Sequence, residues 1–421
     1  MNHMRDEIEQ DAKSVWRYLS AFFHWIVLAL VTGTVGGVVG ALFFNTVNWA
    51  TQIRMAHPWL LWLLPVGGLT IAAMYHFCRM ENENTNAIID SIHFGDKVPL
   101  LLVPCIFLGT AITHLFGGSA GREGAALQIG GSLGNYIGRL FHLDAKDMRL
   151  ATLCGMSAVF SALFGTPLTA TIFALEVISV GVFYYSALVP CIVSALIAFG
   201  ISIAVGNDPT RFVLALQPVE WLMLLRVSGL AVLCSVMSIL FCLTMHGTEH
   251  ALAKRIPNGF LRIALGGAAI IGLTCLVGTT DYNGAGMDVI TRAIEEGTAR
   301  PTAFFWKLIF TAITIGCGFK GGEVVPTFFI GAALGCVAGP LLGIPAGFAA
   351  ALGLVCVFCG AVNCPMASMV LSVELFGAGN LIYFALACGI AYMLSGYFGL
   401  YSSQKILYSK LRPEFIDIHA K

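Results

Sequence analysis

The sequence predicts an all-α polytopic membrane protein made of two repeated halves that contain broken and half-length helices. Of its 421 residues, 57% are hydrophobic and only 11% are charged, whereas a soluble domain carries about 25% charged residues. The mean hydropathy is +0.83. Glycine occurs 47 times, which exceeds the average of about 7% of residues and indicates close helix packing or helices broken inside the bilayer.

Composition and motifs also exclude several classes of function. Lys plus Arg and Asp plus Glu number 23 each, so no net charge attracts a polyanion, and no nucleic-acid partner is expected. The sequence has no HExxH, GxSxG or phosphate-binding loop and no Cys/His ligand set, so we expect neither an enzyme nor a bound cofactor or metal. The C-x-x-C of Cys356 and Cys359 lies in an apolar run, and we interpret both thiols as small core side chains.

Apolar runs fall into two length classes. A helix that crosses the bilayer core needs about 20 apolar residues. Runs long enough to span lie at 22–48, 58–78, 98–116, 184–205, 219–245, 261–278, 303–317 and 380–400. Shorter runs lie at 125–138, 148–163, 167–180, 326–341, 347–362 and 366–376. Half-length helices are typical of transporters and channels, in which unwound backbone lines a pathway.

Charge and hydropathy divide the chain into four segments. We expect an amphipathic helix lying on the membrane at 1–19, membrane repeats at 20–205 and 206–402, and a cytoplasmic tail at 403–421. Short basic clusters lie at residues 5–17, 139–149, 254–262 and 405–412. By the positive-inside rule, these clusters predict that both termini are cytoplasmic.

The two membrane repeats share one pattern. Each contains a Gly-rich turn with a glutamate, followed by an apolar segment that ends in Ile-Gly. These segments are Gly121-Arg-Glu123-Gly-Ala-Ala through Gly130, and Gly321-Gly-Glu323-Val-Val-Pro326 through Gly331. Further on, each half has a proline nine residues before a glutamate, namely Pro167 before Glu176 and Pro365 before Glu374. In transporters such halves often have inverted topology and meet at a substrate site near the midplane.

The two Gly-rich turns are the predicted site of chemistry. Each opens an apolar helix, and a helix N-terminus offers about four unpaired N–H groups and the positive end of a dipole. Two such ends that converge make a site for a small anion, which glycine allows the backbone to approach closely. The alternative is tight helix packing by small residues alone.

Glutamates at these turns suggest a gate. An ionised Glu123 would compete with the anion, and a protonated Glu123 would vacate the site, which makes it both gate and proton carrier. The alternative role for Glu123 is an ion pair with Arg122 that anchors the loop, although adjacent residues point in different directions. Glu323 occupies the same position in the second half and could instead cap its helix. Glu176 and Glu374 lie at helix C-termini, where structural hydrogen bonds or water must offset the dipole.

These residues resemble the CLC family of chloride channels and proton-coupled anion antiporters, over about residues 20–410. The matching motifs are Gly-Arg-Glu-Gly opening a short helix, a later Gly-Gly-x-x-x-Pro and a tyrosine after the last span. The resemblance implies a homodimer in which each subunit has its own anion pathway through two inverted halves. It implies anion-binding roles for Gly121, Arg122, Gly124, Ala125, Gly322, Val324, Val325 and Tyr401.

Departures from the chloride pattern resemble the fluoride-exporting branch. Asn84 stands where chloride members have a serine, with Asn86 as a substitute for that position, and Gly-Gly-Glu-Val replaces the usual second-half motif. Ala125 replaces a proline. Val177 replaces the internal proton-transferring glutamate of chloride antiporters, which the fluoride branch also lacks. An asparagine amide offers two N–H donors to a strongly hydrated anion, whereas serine offers one hydroxyl.

We therefore expect fluoride/proton antiport that exports cytoplasmic fluoride, with Glu123 as the gating and proton-carrying acid and Glu323 as a second acid. The alternatives are a passive chloride channel or a chloride/proton antiporter of the same fold, and a membrane sensor that transports nothing. The expected setting is the inner membrane of a prokaryote, with lipid around the protein and fluoride or chloride and protons as the transported ions.

Overall fold

The computed structural model describes residues 2–421, with side-chain environments from Val15 onward. The first half contains α1 (Asn2–Ala56), α2 (Leu64–Cys78), α3 (Thr85–Phe94), α4 (Leu102–Phe116), α5 (Glu123–Leu140), α6 (Ala145–Phe164), α7 (Pro167–Glu176) and α8 (Leu188–Ala204). The second contains α9 (Trp221–Arg255), α10 (Gly259–Val277), α11 (Met287–Thr291), α12 (Ala303–Gly316), α13 (Val324–Leu341), α14 (Ala346–Val362), α15 (Pro365–Phe376) and α16 (Leu381–Leu394).

Short irregular turns connect some of these helices. A 3-10 turn at Pro58–Leu63 leads into α2, and two others precede α8 and α16 at Tyr185–Ala187 and Ala378–Asn380. A π turn at Arg292–Glu296 continues α11. The fold class is confirmed as helical, because helices make up most of the chain and the described residues contain only a small sheet.

That small sheet was not predicted, and it organises the C-terminal tail. It consists of β1 (Ser179–Val180), β2 (Lys405–Tyr408) and β3 (Phe415–His419). β1 pairs with β2 in parallel, and β2 pairs with β3 antiparallel. The tail therefore adds two strands to the segment that follows α7, instead of extending into solvent.

Seven helical stretches are long and apolar enough to cross a membrane, so the chain is an integral, multi-pass membrane protein. They are Val15–Ala56, Pro58–Cys78, Ala145–Phe164, Tyr185–Ala204, Trp221–Arg255, Gly259–Val277 and Val324–Leu341. Two of these, α6 and α13, were predicted to be too short for full spans. Conversely, α4, α12 and α16 have only 15, 14 and 14 residues, which is shorter than the length of a full span.

The predicted boundary between an interfacial helix at 1–19 and the first repeat falls inside one continuous helix, α1. A helix has no reason to break there, because the sequence around residue 19 has neither glycine nor proline. The amphipathic character of residues 1–14 lies outside the described side chains. The other segment boundaries remain predictions.

The two halves are inverted relative to each other, as α2 and its counterpart α10 show. Gly68 of α2 lies against Ile263 of α10, while a Cβ on Gly267 would lie 2.8 Å from the nitrogen of Pro65. Near the end of α2, the His76 ring packs on Phe260 at the start of α10, with centroids 5.8 Å apart. Equivalent helices of the two halves therefore run antiparallel.

Glycine pairs fix the same close helix contact in both halves. Gly130 of α5 meets Gly155 of α6, and Gly331 of α13 meets Gly353 of α14. A Cβ on Gly353 would overlap the carbonyl oxygen of Gly331, so only glycine permits this backbone approach. These two helix pairs form the most extensive contacts of the two repeats.

Contacts bring both ends of the described chain to one face, here called the terminal face. Trp25 and Leu28 of α1 pack with Phe141 in the α5–α6 connection. From α6, Arg149 donates a hydrogen bond to the backbone oxygen of His93 in α3 (3.1 Å). The same α3 binds Ser403 beside the C-terminal sheet. The other end of α1 lies at the opposite face.

We predict that Gly353→Ala will lower the apparent Tm of the purified protein. The added methyl must separate α13 from α14, and such overpacking costs about 1–3 kcal/mol. The matched control is Gly272→Ala, since a Cβ there meets nothing within 4 Å. Equal Tm values for the two variants would contradict the close contact between α13 and α14.

Candidate functional site: a buried anion pathway

The two Gly-rich turns are joined by a short antiparallel bridge between their backbones. The N–H of Gly121 donates to the oxygen of Gly322 (2.7 Å), and the N–H of Gly322 donates to the oxygen of Gly121 (2.8 Å). These residues are 201 positions apart in the sequence. The bridge brings the N-termini of α5 and α13 together at the centre of the protein.

The bridge requires glycine on both sides. A Cβ on Gly322 would overlap the backbone nitrogen of Gly124 in the first turn of α5. A Cβ on Gly121 would come within 2.9 Å of a Glu123 carboxylate oxygen and 3.1 Å of the Val325 Cβ. The sequence reasoning that assigned close backbone approach to these glycines agrees with this geometry.

Both first turns are buried, as an anion site at helix N-termini requires. In α5 these residues are Glu123, Gly124 and Ala125, and in α13 they include Val324 and Val325. The N–H groups of a first helical turn have no acceptor within their own helix. They carry the positive end of the helix dipole toward the bridge.

Glu123 folds back over the start of its own helix. Its side chain is 1% exposed, and Oε2 accepts a hydrogen bond from the Arg122 N–H at 3.0 Å. The other carboxylate oxygen, Oε1, is buried without a partner. A carboxylate at this position occupies the place where an external anion would meet the helix dipole.

The Arg122 guanidinium makes its main contacts elsewhere. Its Nη1 donates to Asn48 Oδ1 at 2.7 Å, and the group lies 4.3 Å from the centroid of the Phe44 ring. The Nε of Arg122 is 3.8 Å from Glu123 Oε1. The ion pair that sequence reasoning disfavoured is therefore present, but it is loose and leaves Glu123 Oε1 without a hydrogen bond.

Glu323 lies at the N-cap of α13 but makes no side-chain cap hydrogen bond, so the capping alternative has no support in the structure. Its Oε2 is buried without a partner. A Cβ on Gly124 would lie 3.1 Å from that oxygen. The carboxylate of the second half therefore lies against the first turn of the helix of the first half.

Tyr401 joins the same cluster from the C-terminal segment. It is 2% exposed, its hydroxyl has no partner, and both Glu323 and Glu123 lie close enough to act on that hydroxyl electrostatically. Backbone bonds hold the residue, because Leu400 N donates to Ala361 O at 2.8 Å and Gln404 N donates to Tyr401 O at 3.0 Å.

Gln404 anchors this segment to both halves. Its Nε2 donates to the oxygens of Val177 (3.0 Å) and Val362 (2.9 Å). Val177 is buried beside this anchor.

The two candidate asparagines are in different positions. Asn84 is exposed, and its Oδ1 caps α3 by accepting from Ala87 N at 3.1 Å. Asn86 instead accepts from the backbone N–H of Ser403 at 3.2 Å, two residues after Tyr401. The structure therefore brings Asn86, and not Asn84, to the tyrosine segment. Asn84 is held away from that segment because it is the N-cap residue of α3, and an asparagine at this position prefers to bond the first-turn N–H groups.

Glu176 and Glu374 each cap a helix of the opposite half. Glu176 accepts from the N–H groups of Met366 (3.1 Å) and Ala367 (2.8 Å) at the start of α15. Glu374 accepts from Leu168 (3.0 Å) and Thr169 (2.8 Å) at the start of α7, and from the Thr169 hydroxyl (2.6 Å). Structural hydrogen bonding is therefore what offsets the unfavourable dipole at their own helix ends.

Sequence reasoning missed two ionisable residues near the bridge. His114 is buried, with Nε2 at 3.3 Å from Gly121 O. Lys320 lies on the other side, with Nζ 4.1 Å from the centroid of the Tyr75 ring. His114 is three residues before Gly117 and Lys320 directly precedes Gly321, so an ionisable side chain in an apolar run beside each Gly-rich turn was the available signal.

This geometry defines a class of protein: a polytopic membrane protein of two inverted repeats whose broken helices meet at buried carboxylates. The chain matches the voltage gated chloride channel family over residues 67–396. It belongs to this family, whose members are channels and transporters and not enzymes.

Known relatives cover nearly the whole chain. A protein of Pseudomonas syringae pv. tomato described as "Chloride/fluoride channel protein" is 38% identical over 395 residues, covering 92% of this chain and 87% of the relative. A Salmonella arizonae H(+)/Cl(-) exchange transporter is 24% identical over 420 residues, covering 90% of this chain and 87% of the relative. The crystal structure of a CLC-type fluoride/proton antiporter matches with a TM-score of 0.88 and 32% identity, over 91% of this chain and 98% of that one.

We predict that Glu374→Gln will destabilise the protein. The glutamine NH2 would face an N–H donor of α7 that now bonds a carboxylate, and the loss of this part-buried hydrogen bond costs about 1 kcal/mol. Thermal unfolding in detergent should show a lower Tm for Glu374→Gln than for the exposed control Glu414→Gln. A Tm equal to that of the control would mean that the cap contributes nothing.

Proposed function

We propose that this protein is a proton-coupled halide antiporter that exports fluoride from the cytoplasm. One observation carries the proposal. Three polar oxygens, Glu123 Oε1, Glu323 Oε2 and the Tyr401 hydroxyl, are buried without partners around the N-termini of two helices. An unsatisfied buried polar group costs about 1–3 kcal/mol, so three together favour a site that a ligand completes.

The competing carboxylates supply the coupling. Ionised Glu123 and Glu323 lie at helix N-termini, where the dipoles would otherwise hold an anion. An arriving anion and an ionised carboxylate repel each other, so occupation by the anion favours a protonated or displaced glutamate. The anion and the ionised carboxylate thus occupy the helix N-termini in turn, so that the exit of one anion can be coupled to the entry of one proton.

Each carboxylate is associated with a cation on its own side of the bridge. Arg122, beside Glu123, lines a cavity at the face opposite the terminal face. Lys320, which interacts electrostatically with Glu323 and Glu249, contacts Tyr75 in the terminal part of α2. This arrangement supports Glu123 as the acid that exchanges protons with the opposite face, and Glu323 as a second acid toward the terminal face.

The preference for fluoride rests on chemistry and on the relatives. Fluoride is a strong hydrogen-bond acceptor, and the N–H groups of Gly124, Ala125, Val324 and Val325 with the Tyr401 hydroxyl would replace its water. A P. syringae relative carries fluoride in its description, and a structure with a TM-score of 0.88 is that of a fluoride/proton antiporter. Val177 removes the acid that chloride antiporters use on the internal side.

Orientation and assembly complete the proposal. Arg139, Lys146, Arg149, Lys405 and Lys410 belong to loops and segments at the terminal face. The positive-inside rule therefore favours that face as cytoplasmic, with both termini inside and the protein in a prokaryotic inner membrane. A homodimer with one pathway in each subunit, surrounded by lipid, follows from the family resemblance.

Glu123→Gln should abolish proton uptake during fluoride efflux, because the amide cannot carry a proton. Purified protein in liposomes, followed with a fluoride electrode and a pH electrode, measures both fluxes. The control is Glu414→Gln, which removes an exposed carboxylate from the tail. Proton-coupled transport at the control rate in Glu123→Gln would refute this mechanism.

The same assay separates the second candidate, a passive chloride channel of the same fold. The loose Arg122–Glu123 pair at 3.8 Å would suit a gate in either protein. A channel cannot move an anion uphill when only a pH gradient is applied. Chloride efflux equal to fluoride efflux, without proton movement, would establish the channel.

Tyr401→Phe should weaken fluoride binding without lowering the Tm. The hydroxyl has no partner in the protein, so its removal breaks no intramolecular hydrogen bond. A bond from that hydroxyl to a charged ligand would account for a KM increase of about tenfold or more. Thermal unfolding and fluoride-dependent rates on one preparation measure both effects; an unchanged KM would remove Tyr401 from the anion site.

A further inference from the structure

A cavity of about 470 Å³ opens at the face opposite the terminal face, next to the first Gly-rich turn. The segment after α10 forms one wall and is fastened to that turn. Asn283 Nδ2 donates to Gly117 O at 2.8 Å, and Gly284 N donates to Gly118 O at 3.0 Å. The cavity therefore adjoins the backbone that carries Glu123, and Arg122 lines it.

Arg54, from the end of α1, lines the same cavity with an incompletely satisfied guanidinium. Its Nε is buried and has no hydrogen-bond partner. Two glycines make room for it, since a Cβ on Gly117 would lie 3.3 Å from Arg54 Cδ and a Cβ on Gly284 would lie 3.0 Å from its Nη2. An arginine with free donors at a cavity wall is a site for an anion.

The surrounding charges favour an anion at this position. Lys307 is fully buried behind the wall, donating to Gly284 O (2.6 Å) and Tyr282 O (3.2 Å). Asp281, which lines the cavity, lies 3.5 Å from Arg292 and 3.9 Å from Arg300.

Asp288 is a carboxylate whose negative charge disfavours an anion in the cavity. It lines the same cavity and interacts electrostatically with Arg54. An anion bound to Arg54 must therefore compete with Asp288, which makes the affinity of the site adjustable by that residue.

His114 indicates that the anion would keep part of its water. Its Nε2 is 3.3 Å from Gly121 O, and a carbonyl only accepts, so Nε2 carries the hydrogen and Nδ1 has a free lone pair. His114 lines the cavity, and its Nδ1 is buried without a hydrogen-bond partner; a Cβ on Gly284 would lie 4.0 Å from this atom and 3.0 Å from Arg54 Nη2. A lone pair does not bind an anion directly, but it accepts a hydrogen bond from water that the anion retains.

We propose that Arg54 and His114 form an outer binding site for a small hydrated anion, separate from the central site. This inference rests on the proposed halide transport. Arg54 donates N–H bonds to the anion, and His114 Nδ1 accepts from a water in its shell. The site binds the anion at the opposite face, between solvent and Glu123.

The test is fluoride uptake into membrane vesicles that contain the protein. In right-side-out vesicles with an acidic interior, external fluoride reaches this face, whereas in inside-out vesicles it reaches the other. Arg54→Gln should raise the KM for external fluoride about fivefold in right-side-out vesicles, the effect of one unit charge at about 4 Å in water-like surroundings. The maximal rate, and the KM in inside-out vesicles, should stay near the wild-type values.

Asp288→Asn should have the opposite effect and lower the KM in right-side-out vesicles. The neutral asparagine no longer competes with the anion for Arg54. The matched control is Arg211→Gln, an exposed arginine of the segment between α8 and α9. If Arg54→Gln does not fold, Asp288→Asn decides the question. An unchanged KM in Asp288→Asn, or equal KM shifts in both vesicle orientations for Arg54→Gln, would overturn the outer site.

The outcome also separates this inference from the proposed function. Wild-type fluoride uptake with unaltered KM values in both variants rejects the outer site and leaves the antiporter intact. Uptake of chloride but not fluoride rejects the proposed function, and the same KM comparison with external chloride then tests the site. Wild-type vesicles that take up neither anion reject both.

Discussion

The pair of hydrogen bonds between Gly121 and Gly322 is the constraint on which the rest of the structure depends. It joins two turns from inverted halves, so it forces the N-termini of α5 and α13 to converge. Convergence of two positive helix ends in a buried region attracts negative groups. The protein places Glu123 and Glu323 there, and each retains an oxygen without a hydrogen-bond partner, which is the basis of our proposal that an external anion replaces them.

In a second pair of short helices, α7 and α15, the N-terminal N–H groups are instead bonded by side chains of the protein. The N-termini of α7 and α15 are occupied by Glu374 and Glu176, each from the other half and each making at least two hydrogen bonds at 3.1 Å or less. Those helix ends are therefore closed and structural. The difference between the two pairs lies in hydrogen bonding. Glu176 and Glu374 accept bonds from the helix ends that they cap, whereas Glu123 and Glu323 each keep an oxygen without a hydrogen-bond partner, as the proposed gating role requires.

Polar side chains also lead from the central bridge to the face opposite the termini. Arg122 links the central carboxylate to the cavity wall, and His114 links the same bridge to that cavity through the Gly121 carbonyl. Arg54 lies near the end of α1, outside the Gly-rich motifs. The two cations in this series, Arg122 and Arg54, would lower the free energy of an anion stepwise along its path, which limits the barrier between solvent and the central site.

The sequence by itself determined most of the long helices, the repeat and two central acids, Glu123 and Glu323, whereas Tyr401 was assigned from the resemblance to the CLC family. It could do so because spans depend on local apolar runs, and acids or broken helices inside such runs are expensive enough to stand out. Only the tertiary structure decided that Asn86 and not Asn84 meets the tyrosine segment, that Glu176 and Glu374 cap opposite halves, and that the tail forms strands. Those features depend on contacts between residues about 190 to 320 positions apart, and the inverted packing that creates these contacts leaves no local pattern in the chain.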